Sequence, residues 1–258
     1  MRHKQMSKKI QSSGFTFFPL IFLGTLLVGG TSYYGVKKYF GLDNNTGLFM
    51  WGCLTRPHEN GAFAPCSKYV AEEIVKPLKD VCEQNKQCSR TADTIRILEV
   101  GAGSGIFTRE IVKTVHSSGN QYLFDVIEIN NDYCVKLRQE FRRHDQVTIK
   151  CMSVLDFSAP NSYYDFIISS IPLSIFSTED VKKIFNFYTA TIKKGGVLSY
   201  IKLRGHQVTQ KILQGNHKQQ YHERQTLLDD FNNAYNAQRV EVKRNIPPVY
   251  VYHCVISQ

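Results

Sequence analysis

Apolar residues recur along this chain in two periods, and the switch between them divides it into elements. Short runs rich in β-branched and aromatic residues, TIRILEV (94–100), YLFDVIEI (122–129), VTIKCM (147–152), FIISSI (166–171) and VLSYIKL (197–203), read as strands. Between them IFTREIVKTV (106–115), DYCVKLRQEFRR (132–143) and TEDVKKIFNFYTATI (178–192) repeat their apolar positions at helical spacing. The helical TLLDDFNNAYN (226–236) then precedes two closing strands, RVEVKRN (239–245) and VYVYHCVI (249–256). This alternation predicts an α/β fold, a mostly parallel sheet of seven strands with helices on both faces. Upstream, SKYVAEEIVKPLKDV (67–81) places Val70, Ile74, Val75 and Leu78 on one side of a single helix, with Ser67 as its N-cap.

The N-terminus follows a different pattern. From Phe15 to Gly30 the chain is apolar apart from Thr16 and Thr25, and with Thr31 to Tyr34 it is long enough to cross a bilayer. No Asp or Glu precedes Asp43, whereas Arg2, Lys4, Lys8, Lys9, Lys37 and Lys38 flank the run. A membrane anchor is the leading expectation, and a cleaved signal peptide or a buried core helix are the others. The organisation expected is a basic N-terminus and anchor over 1–36, a connecting helical segment over 37–94 and an α/β domain over 95–258.

Composition narrows the partners. The 258 residues carry a formal net charge of +10, which favours polyanions, either an anionic bilayer surface or nucleic acid. The seven cysteines include no C-x-x-C pair, so neither a zinc site nor a disulfide framework is indicated, and mostly reduced thiols are expected.

The chemistry concentrates where the first strand meets its helix, at Glu99-Val-Gly101-Ala-Gly103-Ser-Gly105. A sharp turn approached closely by a ligand requires residues that tolerate positive φ and carry no Cβ. A dinucleotide fingerprint needs its third glycine at position 106, which is Ile106. The G-x-G-x-G form with Glu99 two residues ahead resembles instead the first motif of class I methyltransferases with a Rossmann-like fold. That resemblance implies S-adenosylmethionine as cofactor, with Glu99, Gly101, Gly103 and Gly105 around its methionine part. Glu128, at the end of the second strand, is placed to accept hydrogen bonds from both ribose hydroxyls. The family's adenine-binding acid aligns on Ser153, with Asp156 the nearest carboxylate, and either is a candidate.

Beyond the fourth strand lies Ser169-Ser170-Ile171-Pro172-Leu173, at the strand end where open α/β sheets bind ligands. Ser169 is a cofactor candidate, and Ser170 and Pro172, with Tyr164, are candidates for the catalytic side. Enzymes that methylate adenine amines place an amide or acid where Ser170 stands and an aromatic where Leu173 stands. The Ser-Ile-Pro-Leu pattern resembles the bacterial phospholipid N-methyltransferases, which are related to ribosomal RNA adenine dimethyltransferases. Gly61-Ala62-Phe63-Ala64-Pro65-Cys66-Ser67 and Asn245-Ile246-Pro247-Pro248-Val249-Tyr250-Val251-Tyr252 resemble two further motifs of that family. The resemblance runs from Trp51 to about His253 and implies methylation of the amine of phosphatidylethanolamine, without a metal. Tyr163, Tyr250 and Tyr252 are further candidates to face a methylated ammonium, and His206 to relay a proton or bind phosphate. An intracellular cofactor places the domain on the cytoplasmic face of a membrane, a bacterial inner membrane by the resemblance. The heavier basic flank before the apolar run argues for the opposite orientation. The alternatives are a ribosomal RNA adenine methyltransferase, for which the basic charge would be a nucleic-acid footprint, and a membrane protein that keeps the fold without catalysis.

Overall fold

The computed structural model describes residues 66–87, 94–173, 176–204, 216–245 and 247–257. The apolar run at 15–34, the stretch from Gly61 to Pro65, and His206 lie outside them. Among the described residues no helix is long and apolar enough to cross a membrane.

Seven strands form one sheet: β1 (Ile95–Val100), β2 (Tyr122–Glu128), β3 (Val147–Cys151), β4 (Tyr164–Ser169), β5 (Ile192–Leu203), β6 (Gln238–Val242) and β7 (Val249–Val255). Their order is β3-β2-β1-β4-β5-β7-β6. The first five strands run parallel, and β7 enters antiparallel between β5 and β6. The order reverses between β1 and β4, so a crevice opens there at the carboxyl ends of the strands.

The helices are α1 (Lys68–Ile74), α2 (Lys76–Gln87), α3 (Ile106–Ser118), α4 (Asn131–Glu140), α5 (Thr178–Thr191) and α6 (Asn216–Ala234). One face of the sheet buries Ile95, Ile97, Phe124, Val126, Phe166 and Ile168 among side chains of α1 to α4. The other buries Leu98, Val100, Ile127, Ile167 and Leu198 against α5 and α6. Such two-sided burial explains why β1 and β4 read as nearly continuous apolar runs.

One expectation needs correction. The single helix expected over 67–81 is two helices that meet at Val75–Lys76. Pro77 accounts for the break: it has no N–H to offer, and its ring would clash with the carbonyl of Glu73 in a continuous helix. Both helices of the connecting segment pack onto the sheet. Val70, Ile74, Val75 and Leu78 share one apolar cluster with Ile95, Ile97 and Val251.

Candidate functional site

The glycine turn joins β1 to α3 and hooks onto β2. The N–H of Gly101 donates to the Ile127 carbonyl at 2.8 Å, and that of Gly105 to the Ala102 carbonyl at 2.9 Å. Gly101, Gly103 and Gly105 all have positive φ, of 82°, 54° and 84°. At Gly101 the absence of a side chain matters twice, because a Cβ there would meet Ile171 Cγ2 at 2.8 Å. The turn and the loop after β4 are therefore in contact through this residue. Gly105 opens α3 without a side-chain cap, so the positive end of that helix faces the turn.

Two carboxylates frame the turn. Glu128 is 6 % exposed, and its two oxygens accept the N–H groups of Gly103 and Asn130, each at 2.7 Å. Burial raises its pKa, and those backbone hydrogen bonds oppose the rise. A carboxylate has roughly four lone-pair sites, so two accepted bonds leave capacity for the hydroxyls of a ribose. Asn130 in turn caps α4, accepting from Asp132 N and Tyr133 N, and so fixes the chain beyond Glu128.

Glu99 is fully buried on the α3 side. Its Oε2 accepts from the Thr108 hydroxyl at 2.7 Å, while Oε1 has no partner. Desolvation is the largest cause that pushes its carboxyl up to about 8, with the Thr108 bond opposing and the charge of Glu128 adding to the rise. An orphaned buried acceptor under the glycine turn fits a ligand that brings a charged amino donor, as the methionine part of S-adenosylmethionine does. Thr108 went unremarked in the sequence, although Glu99 and the third residue of a helix starting just past the turn had to lie close.

On the far side of the crevice the Ser170 hydroxyl donates to the Gly101 carbonyl at 2.5 Å, and its N–H donates to the Val100 carbonyl at 3.0 Å. Ser170 thus ties the loop after β4 to the glycine turn, with half-buried Pro172 following. Ser153 caps the 3-10 turn Val154–Asp156 by accepting from Leu155 N, and Asp156 is exposed within that turn. Ile129 is 64 % and Leu155 41 % exposed, although both are large and apolar. Ile129 comes directly after Glu128, and Leu155 two residues after Ser153.

Two candidates are displaced by the structure. Tyr164 begins β4, five residues before its carboxyl end, which is about 16 Å at ordinary strand rise. It is buried, with its hydroxyl donating to Asp125 Oδ2 at 2.7 Å, and it stands at the amino end of its strand, away from the turn. The Ser169 side chain faces α5, where its hydroxyl accepts from Tyr188 at 3.0 Å, and is not directed at the cofactor turn. Of the other tyrosines, Tyr163 borders Tyr164 at the same end of β4. Tyr252 is buried and stacked on Tyr200, and the half-buried Tyr250 lies under Arg239.

Residues 97–196 match the family model described as a methyltransferase domain. This stretch is a methyltransferase domain. S-adenosylmethionine is its cofactor. The fold is shared with solved methyltransferase structures at low sequence identity. The N-methyltransferase NodS from Bradyrhizobium japonicum WM9, in complex with S-adenosyl-L-homocysteine, is 12 % identical, with a TM-score of 0.51 over 88 % of this chain and 99 % of its own. The DszA carbon methyltransferase is 13 % identical, with a TM-score of 0.54 over 88 % of this chain and 71 % of its own. No curated protein sequence matches the chain.

The site predicts a pH dependence. An acid whose pKa is raised by folding keeps its proton between its ordinary value of 4.5 and about 8, so Glu99 favours the folded state at low pH and loses that contribution as pH rises through this window. Binding of an amino cation beside Oε1 favours the carboxylate, so it releases a proton. Affinity for S-adenosylhomocysteine should therefore rise about tenfold between about pH 6.5 and about pH 8, and calorimetry in buffers of different ionisation enthalpy should detect the released proton. The variant Glu99→Gln should bind more weakly at the upper pH and show no such slope.

Proposed function

We propose that the methyltransferase domain transfers a methyl group to the amine of a membrane phospholipid, phosphatidylethanolamine. The bound cofactor would supply an electrophilic methyl on a sulfonium. The protein's part is placement: Glu128 and the glycine turn hold the cofactor, and Ser170 keeps the acceptor loop in register with Gly101. The Ser170–Leu173 stretch has no carboxylate or imidazole. An amine attacking there arrives already deprotonated or gives its proton to water.

The observation that carries the reading is the make-up of this loop. It offers a hydroxyl already committed to Gly101 and an aliphatic Leu173 where a purine would need an amide and an aromatic. A second observation supports it. The two outer motifs meet, with Ser67 N donating to Asn245 Oδ1 at 2.7 Å across 178 residues and Asn245 Nδ2 donating to the Pro247 carbonyl at 2.7 Å. The pair closes α1 over the sheet beside the carboxyl end of β5. The net charge of +10 and the apolar run at 15–34 suit work at an anionic bilayer, with the domain on its cytoplasmic side. Solved structures of this fold include both N- and C-methyltransferases, so the fold itself leaves the acceptor open.

The test is expression of the full chain in a bacterium that makes no phosphatidylcholine, followed by lipid analysis. Mono-, di- or trimethylated ethanolamine lipids are expected. Their absence from a strain whose expressed protein binds cofactor would overturn the lipid reading, and methylated adenine in ribosomal RNA would replace it.

A further inference from the structure

Cys134 and Cys151, expected to be free thiols, are joined as a disulfide. They are 17 residues apart and belong to no cysteine motif, but α4 folds back along β3 and brings their Cα atoms to 5.8 Å, within the usual span of such a bond. Among the described residues, Cys66, Cys82 and Cys254 are free thiols.

The position of the bond relative to the cofactor residues is what gives it meaning. Cys151 ends β3 directly opposite Glu128 in the parallel register, and two residues later comes Ser153 with its 3-10 turn. Cys134 lies in the first turns of α4, the helix capped by Asn130, whose N–H is bound to Glu128 Oε1. The Glu128 carbonyl accepts from Met152 N at 2.9 Å. The crosslink therefore closes a small ring of contacts around Glu128, linking the segment after it to the strand that leads into the Ser153 turn. Both sulfurs also have oxygen acceptors at hand. Cys134 Sγ is 3.3 Å from the Glu128 carbonyl oxygen and Cys151 Sγ is 3.7 Å from Asn131 Oδ1. When the bond is open, each thiol has a partner for its hydrogen, so the reduced form keeps its polar groups satisfied.

We propose that Cys134 and Cys151 form a redox modification site, with a cellular dithiol as co-reactant, that sets how tightly the methyltransferase domain holds its cofactor. This rests on Glu128 being a cofactor ligand. A thiolate of the dithiol attacks Cys151, the half-buried sulfur, and the fully buried Cys134 departs as thiolate and takes up a proton. The second thiol of the reductant then attacks the mixed disulfide and frees Cys151, so one protein disulfide becomes two thiols and the dithiol becomes a disulfide. The oxidised form holds the Glu128 segment and the Ser153 turn in a fixed relation and binds more tightly, because less ordering remains to be done on binding. The reduced form binds more weakly.

The full chain, oxidised with glutathione disulfide or reduced with dithiothreitol, would be titrated with S-adenosylhomocysteine, and differential alkylation read by mass spectrometry would report the state of each cysteine. The oxidised form should bind about threefold to tenfold more tightly, and amide exchange over 131–135 and 153–157 should be slower in it without any ligand. The double variant Cys134→Ser, Cys151→Ser should bind like the reduced form and ignore dithiothreitol. Equal affinity and equal exchange in the two states, a dithiothreitol response that persists in the double variant, or failure of the pair to form under oxidant would each overturn the proposal. Protection that follows the redox state without any ligand binding would keep the clamp and reject the cofactor role of Glu128.

Discussion

Gly101→Val should abolish cofactor binding while leaving the sheet in place. Valine is β-branched and strongly disfavoured at the φ of 82° that this position adopts, a strain of about 1–3 kcal/mol. Its Cβ would also lie 2.8 Å from Ile171 Cγ2 and 3.3 Å from the Ile171 backbone nitrogen. A side-chain methyl can move, but the backbone nitrogen belongs to the loop that Ser170 fastens to the Gly101 carbonyl. Relief of the clash must therefore separate the loop after β4 from the glycine turn or flip the turn itself, and either change alters the surface on which the cofactor is expected to rest. Affinity for S-adenosylhomocysteine should fall by more than about a hundredfold, which corresponds to roughly 3 kcal/mol. The melting temperature should drop by about 4–8 °C, the shift for about 2 kcal/mol in a chain of this size, with the far-ultraviolet dichroism unchanged. Near-native affinity would mean that the ligand does not rest on this turn.

Glu128→Ala has a comparable effect through a different cause. The carboxylate bridges two strand-end segments through Gly103 N and Asn130 N, and the alanine leaves both donors to find water in a nearly closed site. Hydrogen bonds to a charged acceptor contribute about 1.5–3 kcal/mol each, so the variant loses protein stability and the ribose contacts together. Glu128→Gln separates the two. Its amide oxygen can still accept one backbone N–H, and it should recover much of the melting temperature. Affinity should remain about tenfold or more below that of the native protein, because the amide nitrogen faces hydroxyl groups that need an acceptor. If Glu128→Gln binds S-adenosylhomocysteine as tightly as the native chain, Glu128 has a structural role only.

These positions were readable from the sequence because the chain itself imposes them. A strand that ends in a glycine turn and begins a helix puts Glu99, Gly101 and Gly105 together with no help from distant residues, and Glu128 follows from the end of the neighbouring parallel strand. Features that depend on two distant segments were harder to see. The contact of Ser67 with Asn245 emerged only once α1 was placed on β7, and the Cys134–Cys151 bond only once α4 was placed beside β3. Tyr164 was misplaced for a simpler reason. It is near Ser170 in sequence, but an extended strand carries five residues over about 16 Å, and the direction of β4 puts Tyr164 at the far end of the strand. The helix expected over 67–81 kept its apolar spacing on both sides of Pro77, so periodicity alone concealed the break. The acceptor is the least legible element, since the loop proposed to face it, with Ser170 and Leu173, excludes contacts more clearly than it supplies them.

The most direct test of the account is a calorimetric titration of the full chain with S-adenosylhomocysteine, run beside Gly101→Val. One site per chain with a dissociation constant of about 1–100 μM, lost in the variant, is the predicted result. No heat of binding in a folded native chain, or equal binding by the two proteins, would contradict it.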